Sequence, residues 1–296
     1  MRVFWVAIGL LTMVNGASSQ KAVPAGQLVR EVVYNELNDH TRHGYWRYWI
    51  ERRSEAGTRV EEQVETREGP VAELELTNGE APTPEAVQED EERLGKLIGS
   101  PDVRARAEKQ YDEDEERIAR ILAMLPTAFV YQYDGEENGS YRLRFKPNPE
   151  ECARSMEARI FHAMSGMLWV NERQKRLERI EGRIDENVDF GFGLLGRLYK
   201  GGWFRLVRAQ VSATEWKTES LEVHMNVRAL VVKTFARDTS ETRGGFAAVP
   251  EGMSLREGVG LLEGLRANSG ALAIGQPVPA GVGAVVSHAS LAFRER

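Results

Sequence analysis

The chain has 296 residues, of which 42% are hydrophobic and 28% charged, with a formal net charge of −6. That length holds one large domain or two small ones, and the balance suits a packed core. A mildly acidic total argues against nucleic-acid binding, which needs a basic surface to neutralise phosphates, and a lone Cys152 excludes an internal disulfide.

Residues 1–19 read as a cleavable export signal. Arg2 supplies a positive start, Val3 to Val14 form an apolar run, and Gly16, Ala17, Ser18 and Ser19 offer a cleavage site. The run is too short to cross a bilayer core, which takes about 20 residues. No Cys sits at the cut, so no acyl anchor is expected, and the mature chain is expected in the periplasm or outside the cell, not spanning a membrane.

Gln27 to Asn38 carries Leu28, Val32 and Leu37 among polar residues and predicts a short amphipathic helix. From Gly44 the period changes to two. Trp46, Tyr48 and Ile50 share one face of a strand, and Tyr45, Arg47, Trp49 and Glu51 the other. Turns at Glu55-Ala56-Gly57 and Glu68-Gly69-Pro70 lead to two further strands, the last alternating Ala72, Leu74 and Leu76 with Val71, Glu73 and Glu75. Three strands on short turns predict an antiparallel meander.

A helical insertion is expected at 84–125. Thr83 caps a first helix with Pro84 at its start, and Ser100 with Pro101 repeats the signal. The second helix is almost wholly charged in its middle, and only Ile118, Ile121, Leu122 and Leu125 give it a face to bury. Strands are expected to resume after Pro126, with Phe129, Tyr131 and Tyr133 alternating, a turn at Asp134-Gly135, and Tyr141, Leu143 and Phe145 running back. Met167 to Asn171 and Arg176 to Ile184 predict a hairpin around Glu172-Arg173-Gln174. Beyond a glycine-rich bend at 190–202, two or three more strands follow. In the longest, Leu221, Val223, Met225 and Val227 alternate with Glu222, His224, Asn226 and Arg228. Ser254 and Glu257 form a capping box for a last helix, and residues 267–296 read as a flexible tail.

The motifs that carry chemistry elsewhere lack their context here. Gly191-x-Gly193-x-x-Gly196 has no strand before it and no helix after it, and Asp189-Phe190-Gly191 has none of a kinase's other parts. His40-x-x-His43 falls where a helix ends and has no further ligands. No nucleophile elbow or placed carboxylate pair is visible, so no catalytic residues, no metal site and no cofactor are expected, and the chain reads as a noncatalytic protein.

The order of elements resembles the LolA/LolB-like superfamily of lipoprotein-sorting proteins. The paired segments Met167 to Asn171 and Arg176 to Ile184 look like that superfamily's adjoining strands. More closely, FHAMSGMLWVNERQKRLERIEGRI and VDFGFGLLGRLYKGGWF resemble a group of secreted acidobacterial proteins with no assigned activity. The resemblance implies an α+β fold, with a strongly curved antiparallel sheet forming an incomplete β-barrel and helices covering its open side, over residues 20–266. It implies a cavity for a lipid or lipoprotein acyl chain. On that expectation Trp46, Tyr48, Ile50, Tyr131, Phe145, Trp169, Phe204, Leu221, Val223 and Met225 are candidate lining residues. A sensor of envelope stress or a module that binds an envelope protein is the alternative, and a hydrolase a third.

Overall fold

The computed structural model describes residues 23–39, 44–190, 196–229 and 233–272. The export signal, His40 and His43, Gly191 and Gly193, and residues 273–296 lie outside them, while residues 267–272, expected as the start of a flexible tail, are helical. Within them the chain runs α1 (Ala25–Asp39), β1 (Tyr45–Ser54), β2 (Gly57–Val64), β3 (Val71–Thr77), α2 (Pro84–Gly99), α3 (Pro101–Ala128), β4 (Phe129–Glu137) and β5 (Ser140–Pro147). It continues α4 (Met156–His162), β6 (Met164–Asn171), β7 (Leu177–Ile184), β8 (Val188–Phe190), β9 (Gly196–Leu198), β10 (Trp203–Gln210), β11 (Trp216–Ala229), β12 (Lys233–Val249) and α5 (Leu255–Leu272).

The fold is α+β. All strands join one antiparallel sheet in the order β3-β2-β1-β12-β11-β10-β7-β6-β5-β4, with β9 extending β10's side of β11 and β8 pairing β9. The sheet does not close into a barrel. Its two edges, β3 and β4, are consecutive in the chain, so α2 and α3 must carry the chain from one edge to the other. Ten strands at about 4.8 Å spacing make a sheet roughly 43 Å wide. At about 1.5 Å per residue, 28-residue α3 is roughly 42 Å long, which matches.

Residues directly opposed across a ladder share a face. The registers therefore trace one inner face from Gln63 and Tyr48 through Ile50, Arg243, Leu221, Val223, Phe204, Leu206, Ile180, Leu168 and Leu143 to Phe145 and Tyr131. The main core forms on its β4–β7 half. Leu28, Val29 and Val32 of α1 and Ile121, Leu122 and Leu125 of α3 pack there against Phe129, Leu143, Phe145, Phe161 and Leu168.

A second, smaller core lies on the opposite face. Val64 is paired with Arg47, one residue out of phase with the Tyr48–Gln63 pair, and it packs with Val71 against Leu94 of α2 and Leu255, Val259 and Leu262 of α5. Helices therefore cover both faces of the sheet, where the sequence led us to expect them on one side only. The β3 face buried by α2 and α5 is that of Val71 and Glu73, with Leu74 and Leu76 left half-buried. α2 also closes the free edge of β3. Asp90 accepts a hydrogen bond from the Leu74 N–H at 3.0 Å, and Arg93 donates to the Ala72 carbonyl, which blocks pairing with another strand.

Three local expectations need correction. The hairpin between β4 and β5 turns at Asn138-Gly139, whose φ values of 50° and 83° suit the two-residue turn. Asp134-Gly135 is instead a bulge within β4, where the register shifts between Tyr133 and Glu136. Pro126 does not end α3, which continues to Ala128 and hands directly into β4. The short helix α4, capped by Ser155, was not foreseen.

Gly166 and Gly182 face each other across β6 and β7 on the inner face. A Cβ at Gly182 would lie 2.2 Å from the Phe204 ring, and one at Gly166 would lie 2.6 Å from the Phe145 ring and 1.9 Å from the Glu181 carbonyl oxygen. The two aromatic rings occupy space that a side chain at either position would need. Gly182→Ala is expected to cost about 1–3 kcal/mol by overpacking. Gly260→Ala, where an added methyl meets nothing within 4 Å on α5, is expected to raise stability by about 0.5–1 kcal/mol. Urea denaturation of the two variants checks both signs.

Candidate functional site

The ten candidate lining residues do not meet in one cavity. Tyr131 and Phe145 fill the main core, Phe204 and Met225 pack against it, and Tyr131 donates its hydroxyl to the Leu125 carbonyl at 2.8 Å. Trp46, Tyr48 and Ile50 are buried on the inner face of β1. Val223 shares that face on β11. Trp169 does not: Leu168 and Val170 point into the core, so the alternation turns Trp169 to the outer face. There the Arg179 guanidinium stands 4.2 Å over its ring and Glu137 accepts from its Nε1 at 3.0 Å.

Two hollows open on the inner face. The larger, about 730 Å³, lies between α1, α3 and the β1, β2, β10, β11 and β12 region. Tyr48 borders it. The second, about 610 Å³, lies at the β1–β2 hairpin and includes Leu221. Both volumes fall in the range of small-molecule sites.

The larger cleft is built around a buried carboxylate. Glu36 on α1 accepts from Arg176 Nε and Nη2, both at 3.0 Å, from the Leu177 N–H at 2.9 Å, and from Arg208. Its side chain is 5% exposed. Burial pushes its pKa up, but the charges and hydrogen bonds of Arg208, Arg176 and Leu177 outweigh that and hold the carboxyl below its ordinary value. Arg208 also donates to the Trp216 carbonyl at 2.6 Å, and Trp216 Nε1 donates to Gln174 at 2.5 Å. Asn35 Nδ2, one residue before Glu36, donates to the Lys175 carbonyl at 3.1 Å. The C-terminal end of α1 is thus tied to the β6–β7 turn and to β10.

The rim repeats the pattern. Lys217 bonds both oxygens of Glu65 at 2.8 Å, and Glu65 also accepts from the Trp46 N–H. Glu215 accepts from Trp46 Nε1 at 3.1 Å and from the Gly44 N–H. Burial pushes the Tyr48 phenol well above its usual range; its hydroxyl accepts from Gln63 Nε2 at 2.6 Å, and Arg243 stands over its ring. Four acids (Glu36, Glu65, Glu115, Glu215) and four bases (Arg67, Arg208, Lys217, Arg243) line the cleft, so its charge is balanced. The apolar wall comes from Leu122, Leu177, Leu206 and Ile118, the last 49% exposed.

Sequence reading missed Glu36, Arg176, Arg208, Glu65, Lys217 and Glu215. One signal was available. Glu36 follows Leu28 and Val32 at four-residue steps, so it continues the buried stripe of α1. Among the described residues no group of three or more His, Cys, Asp or Glu is placed to hold a metal ion. No protein-family model matches the chain, and no curated protein matches it.

Carboxylates of the opposite character lie on the outer face. Glu62 and Glu73 are directly opposed on β2 and β3, and burial pushes both, with Glu75, above the ordinary carboxylate value. Arg266 of α5 binds one Glu73 oxygen at 2.9 Å, while the other has no hydrogen-bond partner. The two groups act on stability with opposite signs. Glu36 contributes fully above the unfolded carboxylate range and loses that contribution as pH falls through its folded value. Glu62, Glu73 and Glu75 disfavour the fold at neutral pH, and this relaxes as pH falls toward their raised values. Unfolding stability is therefore expected to rise on mild acidification from pH 7 and then fall. Glu73→Gln should flatten the rise. Glu36→Gln, which leaves two guanidinium groups under-compensated, should cost about 3–5 kcal/mol at pH 7 and flatten the acid limb. Denaturant midpoints across the pH series read both.

Proposed function

We propose that the protein is an exported, noncatalytic binding protein whose larger cleft holds an acyl-bearing amphiphile, such as a lipid or the acylated end of a lipoprotein. The observation that carries this reading is the division of the cleft walls. Ile118 and Leu122 of α3 line it with Leu177 and Leu206, and Lys217, Arg208 and Arg243 line it as well. An acyl chain lies along the apolar wall, each buried methylene contributing about 0.8 kcal/mol, and a polar head meets the rim. A half-exposed Ile118 beside a cleft is surface that such a chain covers. The resemblance to lipoprotein-sorting proteins supports the same class of ligand. The main core is filled, so the ligand does not enter among Phe145, Tyr131 and Leu143.

A protein-interaction module is favoured by one separate observation, the exposed charged stretch of α3 from Glu108 to Arg117. Loss of a partner on charge reversal there, with ligand uptake intact, would place the function on the helix instead.

Native mass spectrometry of protein purified from membrane-containing lysate, with titration of a fluorescent fatty acid, tests the proposal. One bound amphiphile per chain is expected, and Ile118→Asp should weaken fatty-acid uptake at least tenfold while leaving the fold intact. Absence of both co-purified lipid and fatty-acid uptake would sink it.

A further inference from the structure

The second hollow has its own chemistry. It lies at the β1–β2 hairpin, between that hairpin and the Thr239–Glu241 stretch of β12, and its lining includes Arg52, Arg53 and Arg59 against one acid, Glu241. Arg52 and Arg59, opposed across β1 and β2, share a single carboxylate, Glu61 of β2. Arg52 reaches Glu241 as well, at 3.2 Å, and Arg243 draws on that same Glu241. Two acids therefore serve Arg52, Arg59 and Arg243, while Arg53 pairs with Glu51 at 2.6 Å. Arg59 is the least committed, with a 3.4 Å contact to Glu61 and a side chain 57% exposed.

Hydroxyls complete the lining. Thr58, Thr239 and Ser240 line the hollow, and only Thr239 shares the face of Arg52 and Arg59; its hydroxyl is engaged by no other group among the described residues. The backbone around them is held from outside: Asn78 Oδ1 accepts from the Thr58 N–H at 2.9 Å, and the Asn78 N–H donates to the Thr58 carbonyl at 2.7 Å. Cationic forks beside the free Thr239 hydroxyl, in a concavity, match the oxyanion of a phosphoryl group, which takes bidentate arginine and a further donor. The larger cleft differs, since acids and bases are equal in number in its lining.

We infer that the hairpin hollow is a phosphate-binding site, separate from the acyl cleft, that takes the phosphoryl group of a lipid headgroup or free phosphate. The site stands whether or not the cleft holds an acyl chain. Titration of the full chain with inorganic phosphate at constant ionic strength, followed by calorimetry or by ³¹P line broadening, tests it. Saturable binding in the millimolar range or tighter is expected, with chloride unable to compete. Arg59→Gln and Thr239→Val should each weaken it at least fivefold. Arg144→Gln, on the outer face of β5, should leave it unchanged, and Ile118→Asp should lower fatty-acid uptake without moving phosphate binding.

Short-chain phosphatidylglycerol binding more tightly than phosphate would name a headgroup as the source, and equal affinities would name the free ion. Either result keeps the site. Absence of saturable phosphate binding would overturn it. So would wild-type affinity in folded Arg59→Gln and in the hydroxyl variant, or an equal loss in Arg144→Gln, which would reduce the effect to net charge.

Discussion

Glu36 is the constraint on which the rest of the inner face depends. A carboxylate taken out of water is costly unless every lone pair finds a donor. Here two arginines and a backbone N–H from β7 and β10 converge on it. The consequence is positional as much as energetic. α1 cannot rotate or slide without stranding a buried charge, so Leu28, Val29 and Val32 are held in register over the β4–β7 half of the sheet. α3 packs beside α1 and so inherits that position. The wall of the larger cleft is a by-product of this docking.

The chain reaches this arrangement because its two edge strands are consecutive. A meander could have closed β3 onto β4, but α2 and α3 stand between them, and the sheet stays open. An open sheet leaves two faces to cover. α1, α3 and α4 take one, while α2 and α5 take the Val64–Val71 patch of the other. The inner face is filled where aromatic rings and helices meet, and stays hollow where β1, β2 and β12 line it with ion pairs. That division leaves both hollows beside the core and not within it.

Much of this was legible in the sequence where the signal is local. The caps Thr83-Pro84 and Ser100-Pro101 and the Ser254–Glu257 box each start a helix where they were read. The alternation in β1 and β5 also holds, whereas residues 221–228 of β11 are uniformly half-buried. What alternation cannot supply is the side of the sheet to which a face belongs. Trp169 and Leu168 are equally apolar neighbours, and only the partner strands decide that Leu168 faces the core. On β3 the apolar set Ala72, Leu74 and Leu76 looked like the buried one, yet Glu73 is buried because Arg266, nearly two hundred residues away, comes to meet it. The Asn138-Gly139 turn was readable by its chemistry and was lost to the nearer Asp134-Gly135, which bulges a strand instead. The site is the least legible part. Glu36, Arg176 and Arg208 come from a helix, the connection before β7 and a strand, and their charges look like ordinary surface until the fold brings them together.

The central claim is that a ligand's acyl chain lies between α3 and β10, outside the filled core. A fatty acid carrying a photoreactive diazirine near its methyl end, crosslinked to the full chain and mapped by peptide mass spectrometry, tests this most directly. Adducts on the Ile118–Leu122 turn of α3 and near Leu206 of β10 are the predicted result. Adducts confined to the Leu143–Phe145 stretch and Leu168, or scattered over the outer face, would contradict it.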